Sequence, residues 1–137
     1  MNTTDTFDGF DQTKYKQEVA ERWGADAWES GARWWESKDP AAKEAFQAEQ
    51  RSIASDAAAL AASGEGPASA AGVALARRQF AWLAQATPPA ELTADRFRTL
   101  ADMYVQDERF THAYEWAGPG AARALRDAMH ALADGGW

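Results

Sequence analysis

Cysteine is absent from the 137-residue chain, and so are long apolar runs. Without cysteine the protein has no disulfide framework, no thiolate metal site and no cysteine nucleophile. The apolar stretches are short and alanine-rich, well below the roughly 18 residues that a membrane span needs. Residues 1–10 lack the basic and then apolar pattern of a secretory signal. We therefore expect a cytoplasmic protein with no membrane partner.

Positive charge is also scarce. The 14 basic and 21 acidic residues give a net charge of -7. Both parts of the chain are acidic, with 7 basic against 12 acidic residues up to Gly64 and 7 against 9 after it. A nucleic acid backbone requires an electropositive surface. We expect no nucleic acid partner, and a neutral or cationic ligand rather than an anionic one.

Strand-forming patterns are missing as well. No segment alternates apolar and polar residues, β-branched residues are few, and alanine makes up about a quarter of the chain. This composition favours helices. Glycine and proline divide the chain into about seven helical segments. The length suits one domain, so we predict a single all-α domain over residues 11–137 that follows a flexible segment, residues 1–10.

Capping residues predict where the helices begin and end. Asp39-Pro40 is a strong helix start, because proline suits the first turn, and Gly64 is a natural stop. The other predicted segments are about 12–23, Asp26 to about Lys38, a helix between Pro67 and Pro88, and helices beginning at Thr93 or Asp95, at Asp107 and at Pro119-Gly120. The predicted core residues are Phe46, Ile53, Ala57, Leu60, Val73, Ala76, Phe80, Leu83, Phe97, Leu100, Ala101, Tyr104, Phe110, Tyr114, Leu125, Ala128, Met129 and Leu132.

Aromatic residues are abundant, at 12% of the chain with seven tryptophans. Tryptophan is large and carries an N–H donor, so a small domain has difficulty hiding this many. On a helical wheel Trp28 and Trp35 share one stripe, whereas Trp34 lies about 100° away from Trp35. Trp34 therefore packs against a second neighbour or lines a cleft.

Trp82 and Trp116 raise the same question. Trp82 points away from Phe80 and Val73, so its helix has two apolar faces. Either this helix is sandwiched between neighbours, or Trp82 forms the wall of a pocket. Trp116, which is close to Gly118 and Pro119, either packs over a turn at the surface or contacts a ligand.

Motifs for catalysis are not found. The chain has no G-x-S-x-G, no phosphate-binding loop and no dinucleotide fingerprint. His112 and Glu115 form a single H-x-x-E pair, whereas a carboxylate-bridged metal pair needs two Glu-x-x-His units. His130 has no obvious charged partner in the sequence. We predict no enzymatic activity, no metal and no cofactor.

Three stretches of the sequence share features with one known family. The first comprises Phe7-Asp8-Gly9-Phe10, Tyr15, Glu18, Glu21-Arg22-Trp23-Gly24 and Ser30. The second runs from Leu100 to Phe110 and contains the pattern Tyr-x-x-Asp-x-Arg-Phe, and the third comprises Gly120 with Leu125, Arg126, Asp127 and Ala128. Together they resemble the opening, the signature and the closing helix of the TipAS antibiotic-recognition domain, over about residues 7–133.

The resemblance implies a globin-like all-α fold with a deep cleft for thiopeptides or other bulky antibiotics. It also implies that the N-terminal helices close over the ligand, and that the DNA-binding half of the family's MerR-type regulators is absent, leaving a stand-alone drug binder. Some members carry a cysteine that bonds covalently to the ligand. Ala86 occupies the matching position here, and Gln79 replaces the family's histidine three residues before Trp82.

We therefore predict non-covalent binding of a bulky aromatic or peptide antibiotic, which confers resistance or self-protection by sequestration, in a monomer or weak homodimer. The alternative is a helical interaction or regulatory module that signals through a protein partner. An exposed patch formed by Trp34, Trp82 and Trp116 would favour that alternative. The predicted ligand-binding residues are Trp28, Trp34, Trp35, Gln79, Trp82, Tyr104, Phe110, Tyr114 and Trp116.

Overall fold

The computed structural model describes residues 32–87 and 90–135. Within these ranges the secondary structure is helical and no strand is present, which confirms the all-α prediction. Residues 32–36 are helical, and five complete helices follow: α1 (Pro40–Ser63), α2 (Ala70–Ala84), α3 (Ala94–Gln106), α4 (Glu108–Glu115) and α5 (Ala121–Gly135). The predictions for the flexible segment 1–10, for the helix at 12–23 and for Trp28 lie outside the described residues.

The chain divides into two compact units, one ending at Glu44 and the other beginning at Ala45. In the second unit α5 packs against α2, α3 and α4, and α3 also packs against α4. The four apolar residues predicted for the inner stripe of α5 are all buried: Leu125, Ala128, Met129 and Leu132. None of the described helices is both long enough and apolar enough to cross a membrane.

The predicted helix boundaries at α1 and α5 are confirmed. Asp39 Oδ1 accepts a hydrogen bond from the backbone N–H of Ala42 at 2.7 Å, which satisfies one of the free donors at the start of α1. Gly64 directly follows α1 with a φ of +78°, and Gly120 directly precedes α5 with a φ of +86°. These left-handed conformations suit glycine, which has no Cβ to clash.

The buried face of α2 differs in part from the predicted one. Val73, Phe80 and Leu83 were expected in the core but are only half-buried. The buried side instead carries Leu75, Gln79 and Trp82, together with Ala76, which belongs to the predicted stripe. Because α2 is apolar on both sides, the periodicity alone did not specify which side faces the interior; the neighbouring helices decide it.

The two faces of α2 meet different neighbours. Trp82 stacks on Phe46 of α1, with ring centroids 4.3 Å apart, while Phe80 meets Phe97 of α3 edge-on at 5.8 Å. This arrangement supports the interpretation that α2 is sandwiched between other helices. Two further residues expected in the core, Leu100 and Phe110, are also half-buried, whereas Met103 of α3 is buried in their place.

Candidate functional site

Three of the predicted binding residues meet in the interior. Gln79 of α2 donates hydrogen bonds from Nε2 to the hydroxyl of Tyr104 on α3 at 2.8 Å and to the hydroxyl of Tyr114 on α4 at 3.0 Å. The two phenol rings lie 4.9 Å apart. Gln79 has no exposed surface, and the tyrosines are 4% and 2% exposed. We call these three residues the Gln–Tyr cluster.

The turn between α3 and α4 brings the two tyrosines together. Asp107 ends α3 and begins α4: its backbone N–H donates to the Met103 carbonyl, and its Oδ1 accepts from the N–H of Arg109 at 3.0 Å. Thr111 Oγ1 donates to the Tyr104 carbonyl at 2.6 Å. With only Asp107 between the helices, α4 turns back and returns Tyr114 to the side of Tyr104.

The arginine of the signature block has a structural role in the same turn. The Arg109 guanidinium and the Asp107 carboxylate form an ion pair at 2.7 Å, and both side chains are largely shielded from solvent. This pair holds the carboxylate that caps α4. The block from Tyr104 to Phe110 therefore builds the corner on which the tyrosines are mounted.

Gln50 was missed as a site residue. It lies on α1, is 1% exposed, and donates from Nε2 to the Ala113 carbonyl at 2.9 Å, one residue before Tyr114. A sequence signal was available, because Gln50 falls four residues after Phe46 and three before Ile53, on the predicted core stripe of α1. A polar residue at a core position of a helix requires a buried partner.

Trp82 is 9% exposed and belongs to the core of the second unit. Its indole Nε1 donates to the Phe46 carbonyl at 2.9 Å, and its ring stacks on the Phe46 side chain. The tryptophan N–H therefore has an acceptor inside the protein, as buried tryptophans usually do.

Phe110, which lies in α4, and Trp116, which directly follows α4, have different environments. Trp116 is the large apolar side chain that stands out as exposed among the described residues, at 48%, and its Nε1 donates to the Ala113 carbonyl at 2.8 Å. Phe110 is half-buried, with its ring centroid 6.2 Å from that of Tyr104. Phe110 thus adjoins the Gln–Tyr cluster, whereas about half of Trp116 is open to solvent.

In the first unit, Trp34 and Trp35 are both half-buried, with ring centroids 6.1 Å apart. Each ring is covered by a cation, Lys38 Nζ at 4.5 Å from the Trp34 centroid and Lys43 Nζ at 5.4 Å from that of Trp35. Such cation–π contacts stabilise exposed aromatic faces by roughly 0.5–1 kcal/mol.

The two histidines have ordinary surroundings. Glu115 accepts hydrogen bonds from the backbone N–H groups of Gly120 and Ala122 at 2.8 and 2.9 Å, so it caps α5, while His112 is exposed. His130 corrects a prediction, because it does have a partner: its Nε2 lies 2.7 Å from Asp102 Oδ1. Asp102 is on α3 and His130 on α5, so packing of those two helices creates a pair that the sequence does not show.

A groove of about 320 Å³ runs along the end of α1 and the start of α2. Leu60 and Leu75 lie in it, and Asp56, Glu65 and Arg78 form polar parts of its lining. It contains none of the predicted binding residues, so it is separate from the Gln–Tyr cluster.

The arginine beside this groove is neutralised by carboxylates. Arg78 donates to Glu49 at 3.1 Å, to Ser52 at 2.9 Å and to Asp56. The hydrogen bond to Glu49 is the main reason why the pKa of Arg78 is raised above its ordinary value. The groove therefore presents an arginine whose charge is already matched, and it has little attraction for an anion.

Comparison with known proteins places this geometry in a family. The family model for the TipAS antibiotic-recognition domain matches residues 15–132. The HTH-type transcriptional regulator SkgA of Caulobacter vibrioides is 32% identical over 145 residues, which cover 98% of this chain and 55% of SkgA. The chain thus spans about half the length of the curated relative that it matches.

A solved structure shares the fold. It is described as TipAS in complex with nosiheptide, from a thiopeptide antibiotic multidrug resistance system of Streptomyces lividans. It superposes with a TM-score of 0.78 at 31% identity, over 93% of this chain and 89% of the other. The family match extends over most of the sequence, and no residue set for catalysis accompanies it. The chain belongs to the TipAS antibiotic-recognition domain family.

Proposed function

We propose that residues 11–137 form a ligand-binding domain that holds a bulky aromatic or peptide antibiotic without a covalent bond, and that this binding confers resistance by sequestration. The proposal rests on structural similarity. Over 93% of its length, the chain resembles a domain whose structure was solved in complex with nosiheptide. Non-covalent binding follows from the absence of cysteine, the residue that captures the ligand in some family members.

The Gln–Tyr cluster supports this proposal from the chemistry of the chain itself. It places a carboxamide and two phenols among apolar side chains, with Phe110 beside Tyr104. Ligand pockets typically combine aromatic walls with a few fixed polar groups. We assign Gln79, Tyr104, Phe110 and Tyr114 to the binding region. The assignments of the other predicted residues stay predictions: Trp28, Trp34, Trp35, Trp82 and Trp116.

The structure offers less support for the alternative, an interaction module that binds a protein through exposed tryptophans. Trp82 is 9% exposed and its indole N–H is occupied by the Phe46 carbonyl, so it cannot contribute to a surface patch. An exposed patch that includes Trp82 was the feature expected of such a module. Ligand binding is therefore the function that we favour.

Calorimetric titration with nosiheptide tests the binding step. We expect one molecule to bind per chain with a dissociation constant in the micromolar range or below, equivalent to about -8 kcal/mol or more favourable. The same titration with Phe110→Ala should give weaker binding, because one aromatic wall is lost. Glu91→Ala serves as the control, since that side chain is exposed. Absence of heat with the wild-type protein at 100 µM would contradict the proposal.

Sequestration has its own test. Expression of the protein in a nosiheptide-sensitive bacterium should raise the inhibitory drug concentration in proportion to the amount of protein, because each chain removes one drug molecule. Expression of Phe110→Ala to the same level should protect less. Protection that does not depend on the protein level, or that persists after binding is lost, would indicate a signalling role instead.

A further inference from the structure

Two buried carboxamides lie at the same level of α1 and α2. The indole of Trp82 contacts Phe46, and one turn away Arg78 contacts Glu49. The residue numbers rise on α1 as they fall on α2, so the two helices are antiparallel. Gln50 and Gln79 belong to this same level, and both reach α4, Gln50 at Ala113 and Gln79 at Tyr114.

Each of these carboxamides has an unsatisfied oxygen. Among the described residues, no donor lies within hydrogen-bonding distance of Gln50 Oε1 or of Gln79 Oε1, although both atoms are buried. The orientation of Gln50 follows from its partner: the Ala113 carbonyl can only accept, so Nε2 must face it and Oε1 must point elsewhere. Gln79 differs, because its partners are two tyrosine hydroxyls, which donate as well as accept, so its carboxamide in the opposite orientation has a satisfied oxygen. The unsatisfied acceptor is therefore Gln50 Oε1.

A buried acceptor without a donor is costly. It forfeits its hydrogen bonds to water and gains none in return, and native proteins contain few such atoms. Such an atom at Gln50, next to the aromatic residues assigned to ligand binding, indicates a place where a hydrogen-bond donor arrives from outside the fold. Peptide antibiotics carry such donors in their amide groups.

Building on the proposed function, we propose that the side-chain oxygen of Gln50 accepts a hydrogen bond from an amide N–H group of the bound peptide antibiotic. Gln50 then contributes to specificity. A ligand that offers an amide donor at this position is accepted, and a flat polycyclic molecule without donors binds less well, because it leaves the Gln50 oxygen unsatisfied.

Substitution of Gln50 by methionine separates this role from a structural one. Gln50→Met keeps a long, flexible side chain but removes the acceptor. The Ala113 carbonyl retains its hydrogen bond from Trp116 Nε1, so no new unsatisfied group is created. We expect the melting temperature of the ligand-free protein to stay within a few degrees of the wild type, and affinity for nosiheptide to fall by about tenfold or more.

The control is Gln85→Met, at an exposed glutamine that follows α2, which should leave both measurements unchanged. Unchanged nosiheptide binding by Gln50→Met would overturn the inference while the proposed function stands. A large fall in melting temperature would also overturn it, since Gln50 would then have a structural role in the ligand-free protein. Lack of nosiheptide binding by the wild-type protein would contradict both this inference and the proposed function.

A measurement on the wild-type protein does not depend on any variant. In protein labelled with ¹³C at glutamine, the side-chain carbonyl signal of Gln50 should move downfield when nosiheptide saturates the site, because its oxygen then accepts a hydrogen bond. The signal of Gln85 should stay in place. A Gln50 signal that does not move at saturation would overturn the inference.

Discussion

Trp82→Ala is expected to lower the free energy of unfolding by about 3–5 kcal/mol, as truncation of a buried tryptophan does. The indole is 9% exposed, stacks on Phe46 at 4.3 Å and donates to the Phe46 carbonyl. Its removal creates a cavity between α1 and α2 and deletes one of the hydrogen bonds between them. Chemical denaturation followed by circular dichroism measures the loss.

Trp116→Ala is the matched control for that change. It removes the same side chain from a site that is 48% exposed, so the expected loss of stability is at most about 1 kcal/mol. Trp82 is also one of the predicted ligand-binding residues, and its burial does not test that prediction. Equal stability of Trp82→Ala and the wild type would contradict its place in the core.

Gly72→Ala is expected to destabilise the protein by about 1–3 kcal/mol or more, despite the high helix propensity of alanine. Gly72 lies in the first turn of α2, under the connector that precedes it. A Cβ there would stand 2.7 Å from the Pro67 carbonyl carbon and 3.0 Å from the Gly66 oxygen, closer still to the Pro67 oxygen. These are backbone atoms, so they cannot rotate away as the end of a side chain can.

Gly66→Ala is the control in the same connector. A Cβ at Gly66 meets nothing within 4 Å. Its φ is not in the left-handed region, so we expect little change, or a slight gain from the restricted unfolded chain. Thermal unfolding of the two variants in parallel makes the comparison. If Gly72→Ala proved as stable as Gly66→Ala, the connector could not pack against α2 as described.

The fold was largely predictable because its signals are local. Asp39, Gly64, Thr93, Asp107 and Gly120 each act through their own backbone or through residues next to them, and the structure confirms each as a helix boundary. The inner stripe of α5 was predictable for the same reason, since its apolar residues recur on one face only.

The site was less predictable because it depends on which helices meet. The sequence indicated Gln79, Tyr104 and Tyr114 separately, but their hydrogen bonds join three helices. Gln79 lies 25 and 35 residues before the two tyrosines. Contacts between helices also explain three other features that the sequence did not show: the partner of His130, the stacking of Phe46 on Trp82 and the burial of Gln50. Local periodicity carries no information about such pairings when a helix is apolar on two faces, as α2 is.

The corner between α3 and α4 affects how one infers, from sequence, which antibiotics a domain of this family binds. In the stretch from Tyr104 to Thr111, Asp107 caps α4 and pairs with Arg109, while Thr111 donates to the Tyr104 carbonyl. These contacts shape the corner itself. On the proposed function, a screen that sorts such domains by antibiotic should therefore compare the inward positions of the first two complete helices, Gln50 above all.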